Sequence, residues 1–225
     1  MNVITVASRK GGAGKTTICA HLAAHAHAQG LRTLVIDADP QGSLALCNSL
    51  RSHALPLMTA ERGIDRALAL AMVAGAEWVF IDTAPTMWVV VQEAIRAATL
   101  VVIPARPGFF DLNAVRETVK TARELIKPYC VVLNAAPAMR DARESPVLAQ
   151  SRAFLNKYEI PVWSGQISQR AGFALPLAAG ASAGEADARS LAASEIARLW
   201  TAIERSVEAI NAARAGAGGV EGRAA

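Results

Sequence analysis

The sequence predicts an α/β fold in which a twisted, mostly parallel sheet carries helices on both faces, in three layers. Short apolar, β-branched runs alternate along the chain with longer segments of helical periodicity. The runs are almost continuously apolar, as expected where helices cover both faces of a sheet. The segments between them are long enough to act as right-handed crossovers between parallel strands.

Five strands are predicted, each followed by small or polar residues that end the apolar run. They cover residues 2–8, 32–37, 78–82, 100–104 and 129–134, with weaker runs at 55–58 and 162–163.

Helices are predicted where apolar residues recur at helical spacing. They cover residues 16–29, 64–74, 87–98, 112–127, 146–158 and 186–213. The first ends at Gly30, and the last carries an apolar stripe that includes Leu199 and Ile203 and should pack on the sheet.

The composition indicates one folded domain. The chain has 225 residues, of which 52% are hydrophobic and 19% charged, so it can bury a core and is not a disordered protein. The expected division is a single domain over residues 1–213 and a flexible tail over 214–225, where alanine and glycine predominate. The three cysteines show no C-x-x-C spacing, which argues against a zinc or iron–sulfur site.

The loop between the first strand and first helix carries a phosphate-binding pattern. Residues 10–17 read Lys-Gly-Gly-Ala-Gly-Lys-Thr-Thr. Glycines let backbone N–H groups turn toward phosphate oxygens, Lys15 can reach the β and γ phosphates, and the Thr16 hydroxyl can bind Mg²⁺. ATP and Mg²⁺ are the predicted cofactors, and the predicted ATP-binding residues here are Lys10, Gly11, Gly12, Ala13, Gly14, Lys15, Thr16 and Thr17.

Carboxylates follow two of the predicted strands. Asp37 and Asp39 end the second strand two positions apart, so they point to one face, and Asp82 ends the third strand in a Walker B arrangement. Carboxylates here can hold Mg²⁺ through water and can position a water that attacks the γ-phosphate. Thr16, Asp37 and Asp82 are therefore the predicted metal group.

The glycine run of this loop opens with Lys10, and the strict G-x-x-x-x-G-K-[ST] pattern fails by one position. This form resembles the deviant Walker A loop of the ParA/MinD family of partition and positioning ATPases. The segment Asp37-Ala38-Asp39-Pro40-Gln41 resembles the family's D-x-D-P-Q pattern, and the Pro104–Pro107 segment resembles its P-x-x-P segment. Because the chain starts at its first strand, the resemblance is to the small class that lacks the N-terminal helix-turn-helix region.

The resemblance implies roles for individual residues. Lys10 would reach the ATP of a partner subunit, Asp39 would hold the hydrolytic water, and Asn134 would recognise adenine. The implied catalytic set is Lys10, Lys15 and Asp39. No arginine finger is apparent in the sequence, so slow intrinsic hydrolysis is expected.

The resemblance also implies partners: a homodimer with ATP, nonspecific DNA, and a ParB-like or cargo-adaptor protein that stimulates hydrolysis. No membrane partner is expected, because residues 212–225 lack the bulky apolar residues of an amphipathic anchor. The expected location is the cytoplasm, in association with the nucleoid. Two alternatives stay open: a P-loop metabolic enzyme that activates a small carboxylic substrate with ATP, and a scaffold that never hydrolyses its nucleotide.

The net charge of +4 allows a polyanionic partner. From a wider set of basic residues that includes Arg140, Arg143 and Lys157, the candidate DNA contacts are Arg152, Arg170, Arg189 and Arg198. Such contacts to the phosphate backbone would be nonspecific and salt-dependent.

Overall fold

The computed structural model describes residues 1–139 and 143–221, with side chains through residue 216. Within these ranges, six strands form one sheet in which all neighbouring strands are parallel, in the order β3-β2-β4-β1-β5-β6. The strands are β1 Asn2–Val6, β2 Thr33–Ala38, β3 Leu57–Thr59, β4 Trp78–Thr83, β5 Leu100–Ala105 and β6 Tyr129–Leu133.

Helices connect the strands and follow the last one. They are α1 Lys15–Ala28, α2 Ser43–Ser49, α3 Ile64–Val73, α4 Trp88–Ala97, α5 Phe109–Glu124, α6 Pro146–Lys157, α7 Ala171–Ala178, α8 Ala183–Ala186 and α9 Leu191–Glu221. None of the helices in the described part of the chain is long and apolar enough to cross a membrane.

Both faces of the sheet are buried, which confirms the predicted fold class. On one face, α1 and α9 pack on the sheet, and the ring centroids of Trp200 and Trp78 are 4.7 Å apart. On the other face, apolar residues of α3, α4 and α5, among them Ile64, Ile95 and Leu112, cover the alternate side chains of the strands. The stripe predicted for the last helix therefore does lie on the sheet.

The strand register sets the position of the polar residues. Strand β1 lies between β4 and β5, and in the β2–β4 pair Asp37 stands opposite Asp82. Because parallel strands end at the same edge, the loop after β1 and both carboxylates meet there.

The structure departs from the predicted elements in several places. The short helices α2, α7 and α8 were not predicted, since segments of four to eight residues carry too little periodicity, and α7 also contains Pro176. Residues 162–163 form an isolated bridge, Val162 to Val131, instead of a strand. Helix α5 begins at Phe109, earlier than expected.

The last helix begins later than predicted and continues to Glu221. Residues 214–221 hold two alanines but also three glycines, so helix propensity alone does not explain this extension. Residues 222–225 of the predicted tail lie outside the described residues, and the division into a domain and a tail stays a prediction.

Candidate functional site

A cavity of about 1050 Å³ opens at the carboxyl edge of the sheet. Its wall comes from segments that follow five strands, β1, β2, β4, β5 and β6, and from the start of α7. The lining residues include Gly11, Gly12, Gly14, Lys15, Thr16, Thr17, Asp39, Pro40, Gln41, Pro85, Thr86, Met87, Arg106, Asn134, Ser168, Gln169, Arg170 and Phe173. Most of the predicted ATP-binding residues therefore lie at one opening, while Ala13 is fully buried beneath it.

The loop before α1 depends on glycine at two positions. Gly12 and Gly14 have φ angles of +71° and +95°, in the left-handed region that disfavours side chains. Gly14 caps α1, and a Cβ atom there would collide with the side-chain amide of Asn134. The loop thus presents its backbone to the cavity at the N-terminus of a helix, which attracts phosphate.

The two lysines of the loop occupy different environments. Lys15 is 6% exposed, its Nζ donates to the carbonyl of Lys10 at 3.3 Å, and it lines the cavity. Burial lowers the Lys15 pKa below its usual value, and the carboxylates of Asp82 and Asp39 partly offset this effect. The Lys10 side chain is half-buried and does not line the cavity of its own chain.

Asp82 is completely buried at the end of β4. Its Oδ2 accepts a hydrogen bond of 2.6 Å from the Thr16 hydroxyl, whereas its Oδ1 is buried without a hydrogen-bond partner. Burial raises the pKa of this carboxyl to about 7, against the opposing bond from Thr16.

An unpartnered carboxylate oxygen beside a hydroxyl is the ligand chemistry that Mg²⁺ prefers, with water and phosphate oxygens completing its shell. The residues present therefore fit this ion. Among the described residues, no cluster of three or more His, Cys, Asp or Glu side chains could hold a metal by itself.

Asp37 and Asp39 behave differently although they are two residues apart. The buried Asp37 uses both carboxylate oxygens to accept backbone N–H groups, from Asp39 at 3.0 Å and from Ala45 at 2.8 Å. Asp39 lines the cavity, and its Oδ1 accepts from the N–H of Gln41 at 3.0 Å. Asp37 therefore orients the segment that carries Asp39, while Asp39 itself faces the cavity; the metal role of Asp37 stays a prediction.

Asn134 is tied to the phosphate loop. Its Nδ2 donates to the carbonyl of Ala13 at 2.7 Å, and its backbone N–H donates to the carbonyl of Ala105 at 2.8 Å. The residue lines the cavity beside Gly14. Its predicted role in recognising adenine remains a prediction.

Glu195 supports the part of the cavity wall that Ser168 and Arg170 form, and it was not predicted from the sequence. It is 4% exposed, and it accepts bonds from the backbone N–H and hydroxyl of Ser168, at 2.7 and 2.8 Å. Arg170 completes the network at 3.2 Å from Glu195. The only signal in the sequence was the position of Glu195 directly beside Ile196 in the apolar stripe of α9.

The four candidate DNA contacts fall into two pairs. Arg152 donates to Glu144 at 2.6 Å and to the carbonyls of residues 163–165, and Arg170 is engaged by Glu195. Arg189 and Arg198 are exposed instead. DNA contact stays a prediction for all four, and the geometry favours the exposed pair. Arg140, from the wider set, lies outside the described residues.

Most of the chain, including the residues that line this cavity, matches a known protein family. Residues 4–181 match the model of the CobQ/CobB/MinD/ParA nucleotide binding domain. The maintenance of carboxysome distribution protein A of Gloeobacter kilaueensis is 38% identical over 122 residues, which cover 53% of this chain and 56% of that relative. The chromosome-partitioning ATPase Soj of Thermus thermophilus is 28% identical over 187 residues, covering 67% of this chain and 75% of Soj.

A solved structure shares the fold. The cell division ATPase MinD of Pyrococcus furiosus superposes with a TM-score of 0.71 at 18% sequence identity, covering 91% of this chain and 98% of MinD. Likeness at this level of identity shows the architecture alone.

Proposed function

The chain belongs to the CobQ/CobB/MinD/ParA nucleotide-binding family, and from this membership we propose that it is a Mg²⁺-dependent ATPase that acts as a switch. ATP would bind in the cavity at the carboxyl edge of the sheet and be hydrolysed to ADP and phosphate. The observation that carries this proposal is the Thr16–Asp82 pair, with its unpartnered carboxylate oxygen beside a glycine loop that opens a helix.

The phosphate loop and the carboxylates near it would have different tasks in this reaction. Loop N–H groups and the Lys15 ammonium bind the phosphates, with Lys15 held by the carbonyl of Lys10. Thr16 would hold Mg²⁺ directly and Asp82 through water, and the ion would neutralise phosphate charge. Asp39 would orient the attacking water, because it faces the cavity from a segment that Asp37 braces.

The switch would operate through a homodimer formed with ATP. The Lys10 side chain lies outside the cavity of its own chain, which supports its predicted reach to the nucleotide of the partner subunit. Hydrolysis separates the subunits, so slow intrinsic turnover sets the lifetime of the closed dimer.

The cargo and its partners belong to the same proposal. Two relatives are named for carboxysome distribution and chromosome partitioning, which supports a positioning role in the cytoplasm, in association with the nucleoid. The closed dimer would bind nonspecific DNA through exposed arginines such as Arg198, and a ParB-like or cargo-adaptor protein would stimulate hydrolysis.

Calorimetry and sedimentation test the proposal. The wild-type protein should bind MgATP and dimerise with a non-hydrolysable analogue. Lys15→Ala should lose ATP binding, and Lys10→Ala should keep some binding but lose dimerisation and hydrolysis. Lys120→Ala, which alters an exposed lysine on α5, should match the wild type.

Product analysis separates the alternatives. ADP and phosphate as the only products, with water as the sole acceptor, support the switch, whereas a phosphorylated or amidated metabolite supports a metabolic enzyme. ATP that stays intact in the dimer, even with DNA and partner, supports a scaffold. A wild-type protein that takes up no ATP would refute all three.

A further inference from the structure

The side chain of Arg106 lies over the phosphate loop although it follows a different strand, β5. Its Nη2 is 3.7 Å from the position that a Cβ atom would take at Gly12, and the residue lines the cavity. The guanidinium therefore lies in van der Waals range of the loop at Gly12.

The backbone around Arg106 is well anchored. Pro104 lies in β5 and Pro107 follows directly, so two fixed φ angles flank the residue. The carbonyl of Ala105 accepts the N–H of Asn134 at 2.8 Å, which ties the end of β5 to the end of β6. The backbone of Arg106 is therefore fixed beside Asn134, and the side chain of Asn134 contacts the loop at Ala13.

Arg106 also differs from the other cations of the cavity wall. Arg170 is held by Glu195, and Lys15 donates to the carbonyl of Lys10. Among the residues that the structure describes, Arg106 makes no hydrogen bond and no ion pair. A guanidinium at this place has its full set of N–H donors available to a ligand, in the fork that matches phosphate oxygens.

We propose that Arg106 binds the phosphate chain of the nucleotide held by the same subunit, as a contact additional to the phosphate loop. The inference rests on the proposed function. The phosphate chain is the ligand, and not the base, because the guanidinium lies at Gly12 within the loop whose N–H groups cradle phosphate. The contact is made in the bound ground state, so it increases affinity for ADP as well as for ATP and is compatible with slow hydrolysis.

Calorimetry on the full chain with ATP, ADP and adenosine, each with Mg²⁺, tests this contact. Arg106→Ala should weaken ATP and ADP binding by about tenfold or more, the loss of a charge-assisted hydrogen bond, and leave adenosine binding unchanged. Arg106→Lys should recover part of the affinity, since it keeps the charge but not the fork. Arg96→Ala, an exposed arginine in the last turn of α4, should bind all three ligands as the wild type does.

Two results would overturn the inference. One is wild-type affinity of Arg106→Ala for both ATP and ADP, with Lys15→Ala still defective; that outcome leaves the proposed ATPase intact and rejects only the Arg106 contact. The other is an equal loss for adenosine, ADP and ATP, which would place the guanidinium on the base. Failure of the wild-type protein to bind ATP would instead reject the proposed function itself.

Discussion

The Thr16 hydroxyl lies 2.6 Å from the Asp82 carboxylate, although the two residues are 66 positions apart in the chain. This bond joins the phosphate loop to the end of β4. It leaves the second oxygen of Asp82 buried and without a partner. The loop and the carboxylate are thus already held together at the place where Mg²⁺ would bind.

Asp82→Asn should stabilise the nucleotide-free protein and abolish Mg²⁺-dependent hydrolysis. Burial raises the pKa of Asp82 to about 7, so at pH 8 the folded protein holds a buried carboxylate that asparagine replaces with a neutral amide. We expect a melting temperature higher by about 4 °C or more and no phosphate release. Glu208→Gln, on the exposed surface of α9, should change neither. A nucleotide-free Asp82→Asn protein that melts below the wild type would contradict this account of the site.

Asp39→Ala should bind ATP and dimerise, yet remain in the closed state. Asp39 faces the cavity, and the only hydrogen bond of its side chain among the described residues is to its own turn at Gln41, so removal of the carboxylate should affect the water more than the fold. Sedimentation should show a persistent dimer with MgATP, and phosphate release should fall at least tenfold. Turnover at the wild-type rate would show that another group positions the water.

Asp37→Ala, in contrast to Asp39→Ala, should lower the stability of the folded protein. The substitution leaves the N–H groups of Asp39 and Ala45 without their charged acceptor, at a cost of about 2 kcal/mol in the free energy of unfolding. Urea unfolding of Asp37→Ala and Asp39→Ala measures the difference. If the two variants are equally stable, the bracing role of Asp37 is wrong.

His21 should make stability depend on pH between about 6.5 and 4. The ring is buried, with Nε2 3.1 Å from the carbonyl of Phe173 and Nδ1 accepting the N–H of Ala183 at 3.2 Å. Burial lowers the His21 pKa to about 4, so the unfolded chain takes up a proton first as the pH falls. Stability is therefore fully present above pH 6.5, decreases as the pH falls toward 4, and loses no more from this group below 4.

The loss from His21 should reach about 3 kcal/mol at pH 4. His21→Gln cannot titrate, so the difference in unfolding free energy between wild type and variant should shrink as the pH falls through this window. A difference that is constant from pH 7 to pH 4 would show that the pKa of His21 is the same in the folded and the unfolded protein.

Substitution of an exposed arginine should weaken DNA binding, whereas substitution of an arginine that is held by hydrogen bonds should lower stability. Arg198→Ala should weaken binding of the ATP-bound protein to nonspecific duplex DNA, reduce the salt slope by about one, and leave the melting temperature unchanged. Arg152→Ala should lower the melting temperature, because this side chain holds Glu144 and the 163–165 carbonyls. Arg66→Ala, on the exposed surface of α3, is the control for binding. Unchanged DNA affinity of Arg198→Ala would remove α9 from the interface.

The parallel α/β architecture, the phosphate loop and the meeting of Asp39 and Asp82 at one sheet edge could all be predicted from the order of residues along the chain. These follow from local patterns: apolar runs define strands, glycines define the loop, and parallel strands end together. The contacts of individual polar side chains could not be predicted in this way, because they form between segments that are distant in the chain. Glu195 packs against Ser168, Asn134 contacts Ala13 from 121 positions away, and Arg106 lies over Gly12. Such pairings depend on how helices pack and which rotamers their neighbours allow, and neither is encoded in the spacing of residues along one segment.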